Sequence, residues 1–202
     1  MAARIAIIVE GATETMFKPA IRRFLQTTLA GQMPRLDFVP QDGRLPRGPA
    51  LCRLVRNLLR DHNAVVALTD VYTGTTPPDF TNAADAKRQL RAWVGEEPRF
   101  HPHAAQFEVE AWLLPYWPRI QKVAGSTRGA PPGSPETVNH DQPPARLLNA
   151  VFGAGTTRRR YSKTRDGAAI LRDQNIEVAA AACPELRAFL DTLLQIAKAA
   201  ST

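Results

Sequence analysis

The chain has 202 residues, 44% hydrophobic and 22% charged, enough for one globular domain that buries its core without disulfides or a structural metal. Two cysteines at no metal-ligand spacing exclude a disulfide framework and a zinc site, and Cys52 and Cys183 read as buried free thiols. Lys and Arg number 26 against 19 Asp and Glu, a formal charge of +7 that points to nucleic acid as a partner.

Arginine supplies 21 of those 26 cations, and its planar fork suits phosphate, although a GC-rich genome also favours arginine. Nothing approaches the ~18 apolar residues of a membrane span. The apolar run 5–9 is cut short by Glu10, too early for a signal peptide, so the expected location is the cytoplasm, with no membrane partner.

Residues 4–10, Arg-Ile-Ala-Ile-Ile-Val-Glu, predict a short buried strand stopped by Gly11. A tight turn follows, with Thr13 placed to cap the next helix. Phe17, Ala20, Ile21, Phe24, Leu25 and Thr28 then recur at helical spacing, which predicts an amphipathic helix ending near Gly31. Residues 36–40 predict a second, shorter strand, and 41–49 a basic loop rich in Gly and Pro. Pro49 opens a helix with Leu51, Leu54, Val55, Leu58 and Leu59 on one face.

Residues 64–69 form the next buried strand, which delivers Asp70 at its C-terminal end, where α/β ligand sites gather. A turn-rich loop with Gly74 and Pro77-Pro78 leads to a helix over 82–94, with Ala86, Leu90 and Trp93 inward. Residues 101–107 predict another strand that runs into Glu108 and Glu110, and Pro115 and Pro118 interrupt the helix beyond. Three prolines and three glycines make 125–142 the one long loop. Pro143-Pro144 open a helix with Leu147, Leu148 and Val151; a basic tract, 156–163, precedes a helical tail that ends in the stripe Leu186, Phe189, Leu190, Leu193, Leu194 and Ala197.

Strands alternating with helices predict an α/β fold with a mostly parallel sheet covered on both faces. A single domain is expected over 1–202, with its core at about 1–124, the loop at 125–142 and a helical C-terminal part at 143–202.

The chemistry rests on carboxylates. Glu10 ends the first strand, Glu14 lies one helical turn on, Asp70 ends the next strong strand, and Glu108 and Glu110 follow another. Carboxylates from separate strand ends are able to share one divalent cation, a hard ion that takes oxygen ligands. Each also has a plainer reading: Glu14, Glu108 and Glu110 as helix-start residues favoured by the macrodipole, and Asp70 as a turn cap. His62, His101, His103 and His140 are scattered, without a third ligand at metal spacing, and read as surface or strand-edge residues. Ser162 has no base partner, and Trp93, Trp112 and Trp117 read as core.

Val9-Glu10-Gly11-Ala12-Thr13-Glu14 resembles the opening motif of TOPRIM domains, above all those of OLD-type nucleases, and Leu68-Thr69-Asp70-Val71-Tyr72 stands where their Asp-x-Asp motif stands. The chain as a whole resembles a family of bacterial TOPRIM-like proteins of unknown function, often encoded beside ATPases in defence islands. The resembling segments are 9–14, 70–74, 107–114, 161–167 and 183–186, nearly end to end. The resemblance implies a TOPRIM-like sheet and a Mg²⁺ or Mn²⁺ site, with Glu10, Asp70, Glu108 and Glu110 as metal ligands and Glu10, Glu14, Asp70 and Lys163 as catalytic residues. Lys163 matches a late lysine that stabilises transition-state charge. Tyr72 replaces the second aspartate of the motif, so either Glu108 or Glu110 supplies the missing oxygen or the site holds one ion.

The resulting expectation is a metal-dependent nuclease acting on DNA or RNA in a bacterial defence system with an ATPase partner. Arg158, Arg159 and Arg160, with Lys163, are the candidate nucleic-acid contacts, or else a solvated basic face. The alternatives are a non-catalytic TOPRIM-like binding module of an ATPase complex, and primase-like nucleotide transfer at the same metal site.

Overall fold

The computed structural model describes residues 2–11, 13–29, 33–73, 75–137 and 142–200. Ala12 of the opening motif, the helix end near Gly31, Gly74, His140 and residues 138–141 of the long loop lie outside the described residues. Four strands form one sheet: β1 (Arg4–Val9), β2 (Arg35–Pro40), β3 (Ala64–Asp70) and β4 (Phe100–Ala105). Their order is β2-β1-β3-β4, and every pairing is parallel. The chain is therefore an α/β protein.

Parallel strands must be buried on both faces, and the apolar runs of β1 and β3 meet that need. Side chains alternate across a strand, so Ala6, Ile8, Val65 and Ala67 face α2 (Pro49–Leu58) and α3 (Ala83–Val94), where they meet Leu51, Val55, Leu90 and Val94. Ile5, Ile7, Val9, Val66 and Leu68 face the other way, into a cluster that includes Ile21 and Leu25 of α1 (Lys18–Thr28). The helical tail closes that second face. It comprises α5 (Pro144–Ala154), α6 (Lys163–Leu171), α7 (Ile176–Ala182) and α8 (Pro184–Ala199), and α4 (Trp117–Ala124) packs with them. Phe189 of α8 stacks on Trp112 with ring centroids 6.2 Å apart. Residues beyond the sheet thus share its core.

Several boundaries differ from the sequence reading, each for a local reason. Thr13 lies in helical conformation and makes no side-chain cap; a 3-10 turn, Glu14–Phe17, comes first, and α1 starts where Pro19 has a preset φ. β4 stops at Ala105 because Phe107 takes a left-handed φ of 62°. The stretch from Val109 to Tyr116 is a 3-10 helix with Pro115 inside it. Cys52 and Trp93 are half-buried, whereas Cys183, Trp112 and Trp117 are buried. In the long loop a 3-10 turn, Pro135–Thr137, buries Glu136, which accepts the Trp112 Nε1–H at 3.0 Å and the Glu185 N–H at the start of α8 at 3.1 Å. Among the described residues no helix is long and apolar enough to cross a membrane.

If α8 belongs to the core of the sheet, Phe189→Ala removes a ring that is 1% exposed and should cost about 3–5 kcal/mol. Urea unfolding should show that loss in one transition for the whole chain; a separate early transition would mark the tail as an independent unit.

Candidate metal centre

The strand order reverses between β1 and β3: β1 leads to β2 on one side, and β3 lies on the other. The C-terminal ends of two such strands frame the crevice where α/β sheets hold ligands. Val9 pairs with Leu68, so Glu10 emerges beside Thr69, one residue before Asp70. The Glu10 Oε1 accepts the Asp70 N–H at 3.1 Å and the Thr69 hydroxyl. Glu14, in the 3-10 turn, folds back so that its Oε2 accepts the Gly11 N–H at 3.1 Å.

Two further carboxylates arrive from β4. The left-handed residue Phe107 turns the chain sharply, with its ring buried and its carbonyl accepting the Tyr72 N–H at 2.8 Å. An aromatic residue at positive φ costs on the order of 1 kcal/mol, and surrounding contacts have to hold it there. The turn sends the Val109 N–H to Asp70 Oδ1 at 2.9 Å and sets Glu108 and Glu110 beside the strand ends. Glu108 Oε2 accepts the Ala145 N–H of α5 at 2.9 Å. Glu110 is fully buried, and neither of its oxygens has a hydrogen-bond partner among the described residues.

Lys163 opens α6 with its Nζ 2.9 Å from Glu110 Oε1, an ion pair without hydrogen-bond alignment. Gly167 lies one turn further along α6. A Cβ there would stand 2.2 Å from Met16 Sδ, so the bare glycine lets α6 lie against the turn that carries Glu14. Asp166 anchors the start of this helix: it accepts the Ser162 N–H at 2.7 Å and pairs with Arg159 and Arg165. Burial opposes its charge, yet these partners hold its carboxyl down at about 2.

All of the acidic residues expected at the site come together, and Lys163 joins them. Their electrostatics are those of crowded, desolvated carboxylates. Burial, with the charge of Glu14 added, pushes Glu10 up to about 7 against the bonds from Thr69 and Asp70. Burial likewise raises Glu14 and Glu108, and lifts Asp70 well above the usual range, helped by Glu10, Glu110, Glu14 and Glu108. Burial works against the Lys163 charge, but Glu110, Glu108 and Asp70 outweigh it and raise its pKa.

Other expected residues fall elsewhere. Tyr72 packs against the apolar cluster of Val71, Phe80 and Phe107. Arg159 grips Asp166 through both nitrogens, at 2.5 and 3.0 Å, with its guanidinium 4.8 Å from the centre of the Phe152 ring, whereas Arg158 and Arg160 are exposed. His103 is buried in β4 with its Nε2 3.0 Å from the Thr192 hydroxyl, and His62 lies on Asp37. Sequence reasoning missed Asp166, for which the Ser162-to-Asp166 spacing at a helix start was the available signal. It also missed Tyr161, whose buried hydroxyl has no partner among the described residues.

Hard oxygen donors, an unpartnered buried carboxylate and excess negative charge suit a divalent cation. As the side chains stand, no three His, Cys, Asp or Glu among the described residues are close enough to hold one.

Residues 9–194 match the family model described as Domain of unknown function (DUF4276), and the chain belongs to that family. The matched span contains every acidic residue of the site, Lys163 and most of α8. Comparison with curated proteins returned no match, and neither did comparison with solved structures.

The raised Glu10 carries a signed consequence. Its carboxyl ordinarily titrates at 4.5 and here at about 7, so between those values the folded chain holds a proton that the unfolded chain releases. Stability is therefore present at low pH and lost as pH rises through this window. The melting temperature of the metal-free protein should fall between pH 5 and pH 8. Glu10→Gln should remove up to about 3 kcal/mol of that pH-dependent loss; an unchanged pH dependence would place Glu10 in an ordinary carboxylate environment.

Proposed function

We propose that the chain is a divalent-metal-dependent nuclease that cleaves phosphodiesters of DNA or RNA, with an ATPase partner in a bacterial defence system. The observation that carries this reading is the burial of four carboxyl groups, Glu10, Glu14, Asp70 and Glu110, at one strand switch point, with half-buried Glu108 beside them and the Lys163 ammonium against Glu110. Glu10, Asp70, Glu108 and Glu110 are the residues that would hold Mg²⁺ or Mn²⁺. The resemblance of residues 9–14 and 68–72 to TOPRIM motifs supports the same assignment.

Bound there, such a cation neutralises phosphodiester charge and acidifies an attacking water. The chain's own groups do the rest. Glu14 holds the Gly11 turn and adds negative charge behind Glu10. Lys163, held in its charged form by Glu110 and Glu108, stabilises negative charge that develops on the phosphoryl oxygens. Arg158 and Arg160, exposed just before Lys163, contact the nucleic-acid backbone. One observation favours the rival reading of a non-catalytic module in an ATPase complex: Tyr72 packs into an apolar cluster where the motif would offer a second aspartate.

Cleavage assays with Mg²⁺ and Mn²⁺, with and without the neighbouring ATPase, separate the two. Asp70→Asn keeps size and loses charge, and should cut at least about a hundredfold more slowly while remaining folded. A variant as fast as wild type would exclude this metal mechanism; a wild type that never cuts, yet binds the ATPase regardless of Asp70→Asn, would establish the module. Changing Arg158 and Arg160 together to alanine should weaken duplex binding and flatten its log–log salt slope by about 2, roughly one per phosphate contact. An unchanged slope would return both to a solvated face.

A further inference from the structure

The Tyr161 side chain ends in the region of Glu110 with nothing to bond. Its ring is wedged against Phe152, with centroids 5.4 Å apart, and its N–H is fixed on Asn149 Oδ1 at 3.1 Å. The residue is 7% exposed, and its hydroxyl is sealed from solvent with no hydrogen-bond partner among the described residues. A Cβ placed on Gly167 would stand 3.2 Å from that oxygen, so the phenol lies along the face of α6 whose preceding turn carries Lys163. Burial, with the charges of Glu110, Asp166 and Glu108, pushes the phenol above its usual range, which keeps it a neutral donor.

A donor without an acceptor, and a carboxylate with only the Lys163 ammonium beside it and no aligned hydrogen bond, are thus buried against the same helix. The buried hydroxyl costs about 1–3 kcal/mol while unsatisfied. Carboxylates that ligate a metal are themselves held by hydrogen bonds from behind, and such partners set both orientation and affinity.

We infer that Tyr161 is a positioning residue for Glu110: when a divalent cation binds, the phenol donates its hydrogen bond to the Glu110 oxygen that faces away from the ion. This rests on the metal-site reading above and adds to it the residue that orients one ligand. Asp166 is no rival acceptor, because Arg159, Arg165 and the Ser162 N–H already occupy it.

The test measures Mn²⁺ affinity by calorimetry on wild type, Tyr161→Phe, Glu110→Gln and the double variant, together with melting temperatures with and without Mn²⁺. Tyr161→Phe should bind Mn²⁺ about 10–100-fold more weakly. Its metal-free melting temperature should not fall, since only an unpartnered hydroxyl is lost. The double variant should bind no more weakly than Glu110→Gln alone, because the phenol acts through that carboxylate. Wild-type affinity in Tyr161→Phe, losses that add in the double variant, or an equal drop in stability with and without metal would each overturn the inference while leaving the metal site intact. Failure of the wild type to bind Mn²⁺ would overturn the metal reading itself, and this inference with it.

Discussion

A carboxylate taken out of water needs donors, and at the ends of β1 and β3 the donors are backbone amides from separate stretches of chain. Asp70 N–H serves Glu10, Gly11 N–H serves Glu14, Val109 N–H serves Asp70, and Ala145 N–H serves Glu108. Satisfying four acids therefore binds β3 to β1, the 3-10 helix to the sheet, and α5 to that helix. The fifth, Glu110, has only the ammonium of Lys163 beside it, which brings in α6. The loops and the tail are held where they are by the need to solvate buried charge.

Bonds of that kind hold only if the backbone accepts some awkward conformations. Phe107 sits at positive φ, which is unfavourable for an aromatic residue, and its buried ring and the Tyr72 N–H keep it there. Gly167 gives up a side chain so that α6 can approach Met16 closely. Both departures lie beside the carboxylates, whereas the sheet itself is regular.

The basic tract shows how three adjacent arginines come to differ. Arg159 is consumed internally: it pairs with Asp166 and lies on Phe152, so it secures the start of α6 and, through it, Lys163. Arg158 and Arg160 remain exposed. Of the three arginines, these two alone present their charge to solvent.

The amino-acid sequence alone determined the parts of this protein that follow from local pattern. Unbroken apolar runs with acids at their ends specify buried parallel strands, and they place Glu10 and Asp70 at the C-terminal ends of those strands. The spacing of leucines and phenylalanines specifies the helices, because a 3.6-residue repeat has one apolar face. Where strands stop and turns tighten was less legible: the left-handed Phe107, the 3-10 turns and the uncapped Thr13 depend on contacts far away in sequence. Tertiary structure alone decided that Glu108, Glu110 and Lys163 meet the strand ends, that Arg159 turns inward, and that Tyr161 is left without a partner. The physical reason is that a strand's burial is written in its own residues, while the partner of a buried charge is whichever segment packing brings to it.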